Sequence, residues 1–93
     1  MQKLLDILSK ETKICIATAH SIRFGNMLNS NRPGIRVSEC KMYKEIWDQV
    51  IVDLHTNQPL SEKAIQEFYD YVTSGEEDLL SPEEIIAVRK LYD

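Results

Sequence analysis

No apolar run in this 93-residue chain approaches the roughly 18 residues that span a membrane. The opening MQKLLDILSKE also places Asp6 and Glu11 where a secretory leader would be apolar, so a cytoplasmic protein with no membrane contact is expected. Cysteine is scarce. Cys15 and Cys40 lie among apolar residues and make no framework of the kind that staples small secreted domains, so both are expected to be buried free thiols. The motifs of common chemistry are missing too: there is no C-x-x-C, H-x-x-x-H, G-x-S-x-G or P-loop spacing. Neither disorder nor a fibrous repeat fits a chain that is 43% hydrophobic and 28% charged. One domain with one core, over residues 1–93, is the expected organisation.

What is present reads as helix. In SECKMYKEIWDQVIVDLH the apolar residues fall at Tyr43, Ile46, Trp47, Val50, Ile51 and Leu54, one stripe of a helix whose other face is charged. Ser38 is the expected N-cap and Glu39 the acid of the first turn. Trp47, the chain's one tryptophan, marks this helix as the axis of the core. Ahead of it, Leu4, Leu5, Leu8, Cys15, Ala19 and Ile22 can share a stripe of one helix over 2–24, ended by Gly25. Thr12, Ile14, Ile16 and Thr18 instead alternate with period two. The competing fold is therefore α+β, with a two-stranded antiparallel ribbon at 12–18 and 34–38.

The last two helices carry strong start signals. Ser61 caps one, with Leu60 and Ile65 as a staple and Gly75 as the stop; Ser81, Pro82 and Glu84 open the other with a capping box. Ile85, Val88, Leu91 and Tyr92 are its expected buried face. The fold class is thus all-α, a compact bundle of about four helices at 2–24, 38–55, 61–74 and 81–92.

Four soft ligands, Cys15, His20, Cys40 and His55, are the number a tetrahedral zinc site needs, but their spacing opposes one. Cys15 and His20 would lie about 140° apart around a helix, and Cys40 and His55 about 22 Å apart along another. No metal, cofactor or catalytic residue is therefore assigned. A Cys40–His20 nucleophile pair lacks a third orienting group, and the acids of the C-terminal half occupy capping positions rather than an apolar pocket.

Charge is segregated along the chain. Residues 1–48 hold eight Lys and Arg against five Asp and Glu, a balance of +3; residues 49–93 hold three against ten, a balance of −7. An acidic half of this density repels nucleic acid and attracts a basic protein. The expectation is a non-enzymatic interaction protein that inhibits or regulates a partner through Glu67, Tyr69, Asp70, Tyr71, Glu76, Glu77, Asp78 and Glu83. A nucleic-acid-binding partner would see these acids as imitating DNA phosphates. By size and charge alone, inhibitors, immunity proteins and bacteriophage accessory proteins are the analogues. At least one of Tyr69 and Tyr71 should be exposed, because they cannot share one helical stripe. Homodimerisation, basic half to acidic half, is a further expectation. The alternative uses the long Arg- and Asn-rich loop: Arg23, Asn29, Asn31, Arg32 and Arg36 would receive an anion or a nucleotide at the helix start near Ser38. Capping, solvation or pairing of these arginines with the acidic half are the plain structural roles that compete with both readings.

Overall fold

The computed structural model describes residues 2–30, 34, 36–75 and 78–92. Its described residues form five helices and no strand: α1 (Gln2–Ile7), α2 (Lys10–Asn29), α3 (Val37–His55), α4 (Glu62–Thr73) and α5 (Pro82–Tyr92). The all-α class holds, and residues 12–18 belong to α2, so the ribbon alternative is not formed. Among the described residues no helix is long and apolar enough to cross a membrane.

The expected first helix breaks at Ser9. The Ser9 hydroxyl accepts the Thr12 N–H at 3.1 Å and starts α2 as its N-cap. The Ser9 N–H donates at 2.9 Å to Glu84, 75 residues away on α5. Helix α2 then runs through Gly25, which is not the C′ residue, and reaches Asn29. It continues because a partner lies alongside: Phe24 stacks on Tyr43 at 5.4 Å. At Gly25 an added Cβ would come within 3.3 Å of the Lys44 side chain, which reaches across from α3. The loop expected over 24–37 accordingly shrinks to the stretch between Asn29 and Val37.

Helix α3 begins one residue before Ser38. Arg36 is its N-cap, without a side-chain cap bond, and its guanidinium reaches Glu39 at 3.0 Å. Ser38 is thus inside the helix and is not the cap. The other end closes with the Gln58 N–H on the Asp53 carbonyl at 2.8 Å around Asn57, which takes the left-handed conformation (φ 57°) often found just past a helix end. Helix α4 starts as expected, with the Ser61 hydroxyl accepting the Ala64 N–H, and Gly75 (φ 88°) ends it.

Residues from all five helices meet in one apolar cluster. Leu4 and Leu5 of α1, Ile16 and Ala17 of α2, Trp47 and Val50 of α3, Phe68 and Val72 of α4, and Val88 of α5 are buried, with Trp47 and Phe68 edge to face at 5.1 Å. On α2 the buried stripe is Thr12, Ile16, Ala17 and Ser21, not the expected one through Cys15, Ala19 and Ile22. Small residues and hydroxyls suit this face because α3 lies close, and each hydroxyl has a partner: Thr12 binds Glu84 and Ser21 binds Asp48. Cys15 is consequently exposed, while Cys40 is buried; both are free. On α5, Leu91 is exposed and Glu84 takes a buried place, and the Tyr92 side chain lies outside the described residues.

Helices α2 and α3 form an antiparallel pair, registered by Ser21 against Asp48 and Phe24 against Tyr43. At about 1.5 Å per residue α2 is about 30 Å long. Its far half extends past the core, and the molecule measures 40 × 28 × 19 Å. The radius of gyration, 13.8 Å, exceeds the roughly 12 Å of a compact chain this size.

Candidate functional site

Where the α2–α3 pair meets α4, an open cleft of about 250 Å³ forms. Its floor is aromatic. His20 stacks on Trp47 at 4.5 Å, and Tyr71 meets the His20 ring edge to face at 4.9 Å. The His20 Nδ1–H donates to the Ile16 carbonyl at 2.8 Å, which orients the ring and leaves Nε2 as its remaining nitrogen. The stacked pair Phe24 and Tyr43, both half-buried, closes one end. Beneath, Trp47 is 1% exposed, and its indole N–H has no acceptor among the described residues.

Charge enters from two walls. Arg23 comes from α2, and Glu67 and Asp70 from α4. A neighbouring hollow of about 210 Å³ shares His20, Arg23 and Tyr71 and adds Asp78 and Leu79 from the chain leading to α5. Burial pushes the Glu67 carboxyl up, and the negative charge of Asp70 adds to this, with Lys63 opposing. Asp70 itself accepts a hydrogen bond from Gln66 at 2.8 Å.

Of the residues expected to bind a partner, Glu67, Asp70 and Tyr71 line the cleft and Asp78 lines the neighbouring hollow. Glu67 and Tyr69 are half-buried, whereas Asp70, Asp78 and Glu83 are exposed. Tyr71 is buried, 8% exposed, in contact with His20, which corrects the expectation that one of the two tyrosines stands free. Glu76 and Glu77 lie outside the described residues. None of Glu62, Glu67, Asp70, Asp78 and Glu83 forms an ion pair with a described residue; the pairs observed, Arg36 with Glu39 and Lys44 with Asp48, both lie within α3 or at its cap.

Of the alternative anion set, Arg23 stands apart from the start of α3. Arg23 is level with the middle of α3, roughly 12 Å along the helix from Ser38. Arg36 is held by Glu39, and Asn29 is exposed in the last turn of α2. Asn31 and Arg32 lie outside the described residues. No group of three or more His, Cys, Asp or Glu side chains is gathered for a metal among the described residues. A further hollow of about 290 Å³, between α3 and the start of α4, is walled by Met42, Ile46 and Val50, with Glu45, Asp53 and Lys63 also in its lining.

Sequence reasoning missed the aromatic floor. In the sequence His20 stands out as a metal-ligand candidate and as the base of a Cys40–His20 pair, and nothing local shows that it would lie on Trp47, 27 residues on. It also missed Glu84 as a tertiary anchor. Its carboxylate accepts the Ser9 N–H at 2.9 Å, the Thr12 hydroxyl at 2.7 Å and the Ser81 N–H at 3.0 Å. Burial alone would raise the Glu84 carboxyl, but these bonds outweigh it and hold the group below the usual carboxylate range.

Compared with protein-family models, with curated proteins and with solved structures, the chain matches none.

Proposed function

We propose that the protein is a non-enzymatic interaction protein that engages a basic protein partner through the acids of α4, the α4–α5 connection and the start of α5. One observation carries this reading. Glu62, Glu67, Asp70, Asp78 and Glu83 lie in a half of the chain with a balance of −7, and none of them is closed into an ion pair by a described arginine or lysine, Lys63 only partly offsetting Glu67. Had the basic half folded back onto the acidic half, the segregation of charge would be internal cement. Instead Arg36 and Lys44 pair with acids close by in sequence. The acidic face therefore keeps its field for an incoming surface, where complementary charge speeds encounter and selects partners. A partner that itself binds DNA would meet carboxylates in place of phosphates.

The test compares three baits in cells of the source organism: the native chain, a variant with Glu67, Asp70, Asp78 and Glu83 changed to Lys, and a control with Asp6, Glu11, Glu39 and Glu45 changed to Lys. Both variants carry the same change in net charge. A partner held by the native chain and the control, and lost by the C-terminal variant, is the expected result. Retention by the C-terminal variant contradicts the proposal.

A further inference from the structure

The cleft itself holds an arrangement that a flat acidic surface does not need. Arg23 on its α2 wall and Glu67 and Asp70 on its α4 wall are opposite charges around one hollow, yet no ion pair joins them. Burial and Asp70 raise the Glu67 carboxyl, and Lys63 lowers it. The charges are thus separated by the hollow rather than closed on each other. On the floor, Trp47 is almost wholly buried and has an indole N–H without an acceptor among the described residues. The half-buried Phe24 and Tyr43 rings supply an apolar end.

We propose that this cleft binds a small zwitterion of the amino-acid class, its ammonium group at Glu67 and Asp70, its carboxylate at Arg23, and its apolar body along Phe24 and Tyr43. A simple anion would meet two carboxylates, and a simple cation would leave Arg23 unanswered. A molecule bearing both charges completes both walls. The hollow of about 250 Å³ is smaller than the roughly 300 Å³ at which drug-sized ligand sites begin, so only a small molecule fits. A nucleotide would need more room. This site shares Glu67 and Asp70 with the partner reading, but its test uses the chain alone, so the failure of one is distinguishable from the failure of the other.

The experiment titrates the full chain with each of the twenty common amino acids, following Trp47 fluorescence and melting temperature. It then compares the best ligand with its decarboxylated amine and its deaminated acid. The expected result is one or a few amino acids that perturb Trp47 and raise the melting temperature, with each single-charge analogue about tenfold weaker or more. Arg23→Ala should weaken the amino acid while leaving the amine unchanged. Glu67→Gln with Asp70→Asn should weaken amino acid and amine while leaving the deaminated acid unchanged. Arg23 and Asp70 are exposed and the half-buried Glu67 is not part of the apolar cluster, so these variants keep the core, as far-UV circular dichroism would verify. The proposal is overturned if no amino acid has an effect at about 10 mM, if an analogue binds as tightly as its parent, or if Arg23→Ala changes nothing.

Discussion

Glu84 shows how much one side chain can organise. In an ordinary capping box the third residue of a helix bonds back to the N–H of its own cap, as Glu84 does to Ser81. Here the same carboxylate also takes the N–H of Ser9, the cap of α2, and the hydroxyl of Thr12. One residue therefore serves the N-termini of two helices. Glu84→Gln replaces an acceptor oxygen with an amide nitrogen, so at least one of three donors loses its partner. A loss of about 1–3 kcal/mol is expected in denaturant unfolding; stability equal to the native chain would show that the carboxylate does not join the helices. The pH dependence has a definite sign. Because the folded carboxyl titrates below its ordinary value, its contribution is present above that value and fades as pH falls through the folded one. Asp48 acts in the same direction: burial opposes its charge, but the Lys44 ammonium and the Ser21 hydroxyl prevail. Acid unfolding should accordingly move to higher pH in Glu84→Gln. Glu67 has the opposite sign, since burial and Asp70 raise it. Its ionisation costs stability above the folded value, so Glu67→Gln is expected to melt no lower than the native chain at neutral pH.

At the level of elements, the helices whose signals lie within four residues were legible. Ser61 with Ala64, and Ser81 with Glu84, are local motifs, and both helices start where the sequence places them. Ser9 was not legible, because the acid that completes its cap lies 75 residues away. Gly25 misled for a related reason. A glycine reads as a stop when nothing opposes it, but α3 packs alongside and Phe24 gains the Tyr43 ring by continuing. The two glycines should respond differently to alanine. At Gly25, with helical neighbours and a flexible lysine tail to displace, Gly25→Ala is expected to stabilise by about 0.5–1 kcal/mol. At Gly75 the positive φ makes Gly75→Ala destabilising by about 1 kcal/mol. Equilibrium unfolding of both variants checks the pair, and equal signs would contradict the account of α2. Of the candidate site, the acids were legible as a charge run, but the aromatic floor depends on the register of α2 against α3, which no local pattern reveals.

For the molecule as a whole, burial is unevenly distributed. Near Trp47 all layers meet, whereas over 22–29 and 37–44 Cys40 is the one buried side chain among the described residues. Few buried contacts mean a low free energy of local opening. Amides of this far half should exchange hydrogen faster than those around Ile16 and Val50, and uniform protection would contradict the picture of a core with a projecting two-helix arm. The functional claim also belongs to this scale, since it concerns where charge is left after folding. A titration of every Asp and Glu carboxyl by carbon-13 NMR, on the chain alone, measures that directly. With an acidic face left free for a partner, Glu84 and Asp48 should titrate below their ordinary values and Glu67 above its own. A depressed Glu67, reverting in Arg23→Ala, would mean that the two halves neutralise each other internally, and the partner-binding face would be lost from the account.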